Sequence, residues 1–134
     1  MKIKLLPLLL FPFLFSACGN DSHVQEKIEL NNGQKWAVNE EMKPHIEQGR
    51  VVLNTYLTNG DTDHEKLAKD LQEQNSKLIK SCTMDGQSHD ELHKWLHPHL
   101  ELVKELSKAE TPEEVTKVTD KLKASYEIYD QHFE

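Results

Sequence analysis

The chain has 134 residues, 37% hydrophobic and 29% charged, with a formal net charge of −7 and a mean hydropathy of −0.69. That length suits a single domain with its own core. The acidity argues against nucleic acid as a partner, because phosphate binding needs a basic face.

The first element is a leader. Met1-Lys2-Ile3-Lys4 precedes an apolar run from Leu5 to Phe15, and Ser16-Ala17-Cys18 follows. A charged start, a short apolar stretch and small residues before a cut site make a secretory signal, and the run is too short to cross a bilayer as a helix. A cysteine directly after Ser16-Ala17 resembles the lipobox of bacterial lipoproteins, with Phe15 where an aliphatic residue is usual. The resemblance implies a signal peptide over residues 1–17, acyl chains such as palmitate on Cys18, and a membrane anchor in the cell envelope. Gly19 rather than Asp after the cysteine points by the same resemblance to the outer membrane. Cleavage leaves 117 residues, and losing Lys2 and Lys4 takes the charge from −7 to −9. That balance argues against a second, electrostatic contact with anionic lipid. With Cys18 acylated, Cys82 has no partner for a disulfide. A lone thiol in an oxidising compartment is expected to be buried, metal-bound or reactive.

Residues 18–35 are polar with little periodicity and read as a flexible lipidated tether. Residues 36–134 divide into four segments of helical period, and none alternates with period two. Asn59-Gly60-Asp61 and Asp85-Gly86 place glycines where helices should stop. Thr62 with Glu65, Ser88 with Glu91 and Thr111 with Glu114 carry the capping-box spacing, and Pro112 suits a first helical position. The first helix is expected to start at Asn39, with Glu40 and Glu41 in its first turn. The predicted helices are 39–59, 62–84, 89–109 and 112–133. Four near-equal helices with short links make an all-α, antiparallel up-down-up-down four-helix bundle.

The predicted seams are thin. Helix one turns Val38, Met42, His45, Ile46, Gly49, Leu53 and Tyr56 inward, and helix two Leu67, Ala68, Leu71, Asn75, Leu78, Ile79 and Cys82. Helix three gives Leu92, Leu96, His99, Leu100, Val103 and Leu106; helix four gives Val115, Val118, Leu122, Ser125, Tyr126 and Tyr129, with His132 or Phe133 last. Polar residues on these stripes need partners and suggest that the interior does more than pack. Trp36 and Trp95 are expected to cap the hydrophobic end.

Up-down topology gathers chemistry at one end: Met42 and His45, Cys82 and Met84, His89 and His93, and the closing turn with His132. His89 and His93 are four apart on a helix, so their rings project to one side and can chelate one ion. Thiolate, thioether and imidazole suit Cu(I) first and Zn(II) second. The expected metal set is Cys82, His89 and His93, with Met84, Met42 and His45 as candidates to complete it. The same histidine pair is also common as solvated surface, and Cys82 and the methionines as core filler. His97 is expected to point away from the seam into solvent. His-Asp-Glu-Leu-His is not the metalloprotease pattern His-Glu-x-x-His, and no nucleophilic triad or phosphate loop stands out. No enzymatic activity is expected.

An acidic bundle with a Met near the start of helix one and the closing stretch Ser125-Tyr126-Glu127-Ile128-Tyr129-Asp130-Gln131-His132-Phe133 resembles the soluble cytochrome b-type bundles. The resemblance implies haem held between Met42 and a histidine of the last helix. That histidine's position is occupied by Asp130, and His132 lies about 200° further round the helix. There is no Cys-x-x-Cys-His for covalent haem. The expected function is therefore a membrane-tethered, metal-binding or metal-handling lipoprotein. A cofactor-free structural or interaction lipoprotein and a haem-binding bundle are the alternatives.

Overall fold

A computed structural model describes residues 25–134. The expected signal peptide, Cys18 and the start of the tether lie outside the described residues. Four helices follow one another: α1 (Lys43–Asn59), α2 (His64–Ser81), α3 (Gly86–Lys108) and α4 (Pro112–His132). The links 60–63, 82–85 and 109–111 are too short to let consecutive helices run parallel. Hence α1 packs on α2, α2 on α3 and α3 on α4, and α4 closes more sparingly on α1. The all-α four-helix bundle is as expected, and no strand occurs among the described residues. No helix among them is long and apolar enough to cross a membrane.

The helix ends show where local signals were overridden. Gly60 terminates α1 in the left-handed region, φ +62°, returning its N–H to the Tyr56 carbonyl. At α4 the capping box is complete: Thr111 Oγ1 accepts from Glu114 N, and Glu114 reaches back to the Thr111 N–H. At α2 the cap is Asp63, which accepts from Lys66 N, rather than Thr62. The expected box at Ser88 and Glu91 does not form. Helix α3 starts earlier, at Gly86, and the Ser88 hydroxyl turns back to the Asp85 carbonyl. Asn39 does not open α1, which begins at Lys43 with Pro44 in its first turn. Its amide instead donates to the Ser81 carbonyl and accepts from Thr83 N. Asn39 thus closes the end of α2 from 42 residues away in sequence.

The core follows the predicted stripes closely. Met42, Ile46, Leu53, Leu67, Leu71, Leu78, Leu92, Leu96, Val103, Leu106, Val118 and Leu122 are buried. Gly49 is there for contact: a methyl group at its Cα would collide with the Tyr126 hydroxyl, so only glycine lets α1 and α4 approach at this level. The next residue, Arg50, forks onto Asp130, one turn beyond Tyr126, and lies 5.4 Å over the Tyr126 ring, adding a surface clasp to the same pair of helices. Three expectations shift. Ile79 is 48% exposed, His45 is half-buried at the edge of α1, and Trp95 is not an end cap. It is 1% exposed in the centre of the bundle.

The described part of the expected tether is bound to the bundle. Ile28 is buried, the Glu29 N–H donates to Glu91 Oε2 at 2.8 Å, and the Trp36 indole donates to the Glu29 carbonyl. Asn31 to Gln34 form a tight turn, after which Trp36 pairs with Phe133 in a single parallel bridge. Residues 25–38 therefore form a strap across α3 and the end of α4.

Candidate metal centre

The helix α3 begins with Gly86 and carries His89, His93 and His97 one turn apart along one flank. An α-helix of 3.6 residues per turn brings positions four apart side by side. The rings are stacked edge-on as a ladder: His89 and His93 centroids lie 4.3 Å apart, and His93 and His97 centroids 4.8 Å apart. The nitrogens are closer still. His93 Nε2 is 3.0 Å from His89 Nε2, and His93 Nδ1 is 2.9 Å from His97 Nε2. His93 thus faces one neighbour with each ring nitrogen.

This ladder borders a cleft of about 270 Å³ whose walls include Met42, Cys82, Met84 and Leu92. Met42 is fully buried and forms its floor. Cys82, the residue that ends α2, is a free, half-buried thiol, and Met84 follows in the link. The structure therefore brings Cys82, His89, His93, Met84 and Met42 to one cleft. It leaves out His45, which does not border it, and adds His97, which does. His97 is exposed as expected, yet it is the outer rung of the ladder rather than an isolated side chain. Repeating the four-residue step once more past His93 would have found it.

The electrostatics disfavour charge on the middle rung. Partial burial pushes the His93 imidazolium below the ordinary histidine range, and the neighbouring His89 and His97 push the same way against Asp90. Its lone pair is thus free for a hydrogen bond or an ion. Two imidazoles on one tetrahedral zinc, at 2.0–2.1 Å each, hold their nitrogens about 3.3 Å apart. The two pairs here need open by only a few tenths of an ångström. Among the described residues no three His, Cys, Asp or Glu side chains already surround a common point for an ion.

Three histidines outside the ladder are engaged elsewhere. His99 is fully buried, stacked on Trp95 with Tyr126 edge-on, and bonds Ser125 Oγ through Nδ1 at 2.9 Å. His64 meets the Ala109 carbonyl at the far end. His132 Nδ1 meets the Ile128 carbonyl, and Asp130 is paired with Arg50 at the surface. Trp95, His99, Tyr126 and Tyr129 fill the bundle centre with touching rings.

Fold and cleft together define a small four-helix bundle with a histidine ladder beside a thiol and two thioethers. No protein-family model, no curated protein and no solved structure matches the chain.

Proposed function

We propose that this chain is a lipid-anchored, non-enzymatic protein of the cell envelope that binds a soft or borderline metal ion in the α3 cleft. Copper is the first choice and zinc the second. The observation that carries the reading is the approach of His89 Nε2 and His93 Nε2 to 3.0 Å at a cleft bordered by Cys82 and Met84. Imidazole, thiolate and thioether are the donor set of Cu(I), and imidazole with thiolate that of Zn(II). Cys82 would bind as thiolate, its proton displaced by the ion. The anchor rests on the lipobox-like Ser16-Ala17-Cys18.

Thermal unfolding of the soluble domain, titrated separately with Cu(I) and Zn(II), tests the reading. A bound ion stabilises the folded state by about 2.7 kcal/mol at a hundredfold excess over Kd. The parent is expected to show that gain, and the double variant His89→Ala/His93→Ala to lose it while keeping its helices. Equal gains in both proteins would place the ion away from the histidine pair and overturn this site, and no gain in either would replace the reading with that of a cofactor-free interaction lipoprotein.

A further inference from the structure

The ladder contains not one chelating pair but two. His93 Nε2 meets His89 Nε2 on one side, and His93 Nδ1 meets His97 Nε2 on the other. Nδ1 and Nε2 diverge from the imidazole ring, so an ion between His89 and His93 is out of reach of His97. We propose, resting on the metal-binding reading, that the ladder offers two overlapping stations for a single ion, with His93 common to both. The inner station, His89 with His93, lies toward the half-buried side beside Cys82 and Met84. The outer station, His93 with His97, opens to solvent, where His97 is exposed.

Proton accounting limits the ladder to one ion at a time. A neutral imidazole keeps one N–H. With the ion on the inner station, both Nε2 atoms are bare, and His93 Nδ1–H donates to His97 Nε2. With the ion on the outer station, His93 Nε2–H donates to His89 instead. Passage between the stations exchanges the ion and the proton across the His93 ring. One proton leaves Nδ1, one arrives at Nε2, and the net count is unchanged. Occupying both stations would strip His93 of its last proton, which a neutral solution disfavours. Each position of the ion therefore leaves the other pair joined by a hydrogen bond. The ladder thus offers an ion two mutually exclusive positions, one on the half-buried rungs and one at the exposed rung.

Zinc calorimetry on the soluble domain and four variants separates this from a fixed site. The parent is expected to bind one Zn(II). His89→Ala and His97→Ala each remove one station, and each is expected to keep a single ion at an affinity weakened by about tenfold or less. His93→Ala and the double variant His89→Ala/His97→Ala are expected to lose about a hundredfold or more, with helical circular dichroism retained in all four. If His89→Ala falls as far as His93→Ala while His97→Ala is silent, the ion has one fixed site and the two stations are wrong, although metal binding stands. Survival of binding in the double variant would place the ion on His93 and Cys82 and also overturn the stations. A parent that binds no zinc and no copper would overturn the stations and the metal reading together.

Discussion

At the scale of single residues, the interior histidine has a consequence for pH. His99 Nδ1 bonds Ser125, but its buried Nε2 has no partner among the described residues, and burial pulls its pKa from 6.5 down to about 4. A depressed histidine favours folding where it is neutral. Its contribution is complete above pH 6.5, where folded and unfolded states are both unprotonated, and drains away as pH falls to about 4. The slope is about 1.4 kcal/mol per pH unit, or about 3 kcal/mol across the window. The rings packed on it, Trp95 and Tyr126, do not titrate there: an indole has no ionisable group in this window, and a phenol ionises only far above it. Urea unfolding of metal-free protein between pH 7 and 4.5 is expected to show that loss, and His99→Gln to flatten it; an unchanged slope in the variant would place the proton uptake elsewhere. His99 was legible as an inward position from the apolar period of α3. Its partner Ser125 was legible only as a second polar residue on another stripe, because pairing across helices depends on register. His97 was missed for the opposite reason. A wheel measured from the apolar centre sends it to solvent, whereas its partner is another flank residue one turn back.

At the scale of elements, the strap and α3 are joined through a carboxylate. Glu91 is buried, accepting the Glu29 N–H on one oxygen and Lys94 Nζ on the other, both at 2.8 Å. Burial alone would raise its pKa, but the Lys94 and Glu29 hydrogen bonds, with the charges of Lys94 and His132, hold it below the ordinary value. Glu91→Ala leaves the Glu29 amide without its acceptor and Lys94 with only the Lys27 carbonyl, and is expected to cost about 1.5–3 kcal/mol. Limited proteolysis should then cut at Lys27 and Lys35 well before the helices unfold. Cleavage at parental rates would show that Ile28 and Trp36 suffice to hold the strap. Sequence periodicity placed all four helices, since an apolar stripe marks a helix whatever it packs on. It misread Asn39, Glu91 and residues 25–35, whose partners are far away in the chain. A cap residue and a remote clamp have the same short polar side chain, and an extended strap has no period to betray it.

At the scale of the whole molecule, the bundle is a carrier for one decorated flank. The α1–α4 seam is the sparsest, held by the Gly49–Tyr126 contact and the Arg50 clasp, while the ladder is built within one helix and needs no seam to form. The proposed anchor also belongs to this scale, and it is tested at Cys18. Cys18→Ala is expected to leave the precursor unprocessed or to release the domain from the membrane fraction. A processed variant that still sediments with membranes like its parent would refute the lipid anchor.

The docked strap sets the length of the leash. A chain anchored at Cys18 has only residues 18–24 between the lipid and the first described residues, and whatever path they take, they reach at most about 25 Å. A strap that let go as far as Lys35 would more than double that reach. Under the proposed anchor, a docked strap would confine the bundle to a thin shell against the membrane, where any partner embedded in the same bilayer would meet the histidine ladder at a local concentration on the order of millimolar.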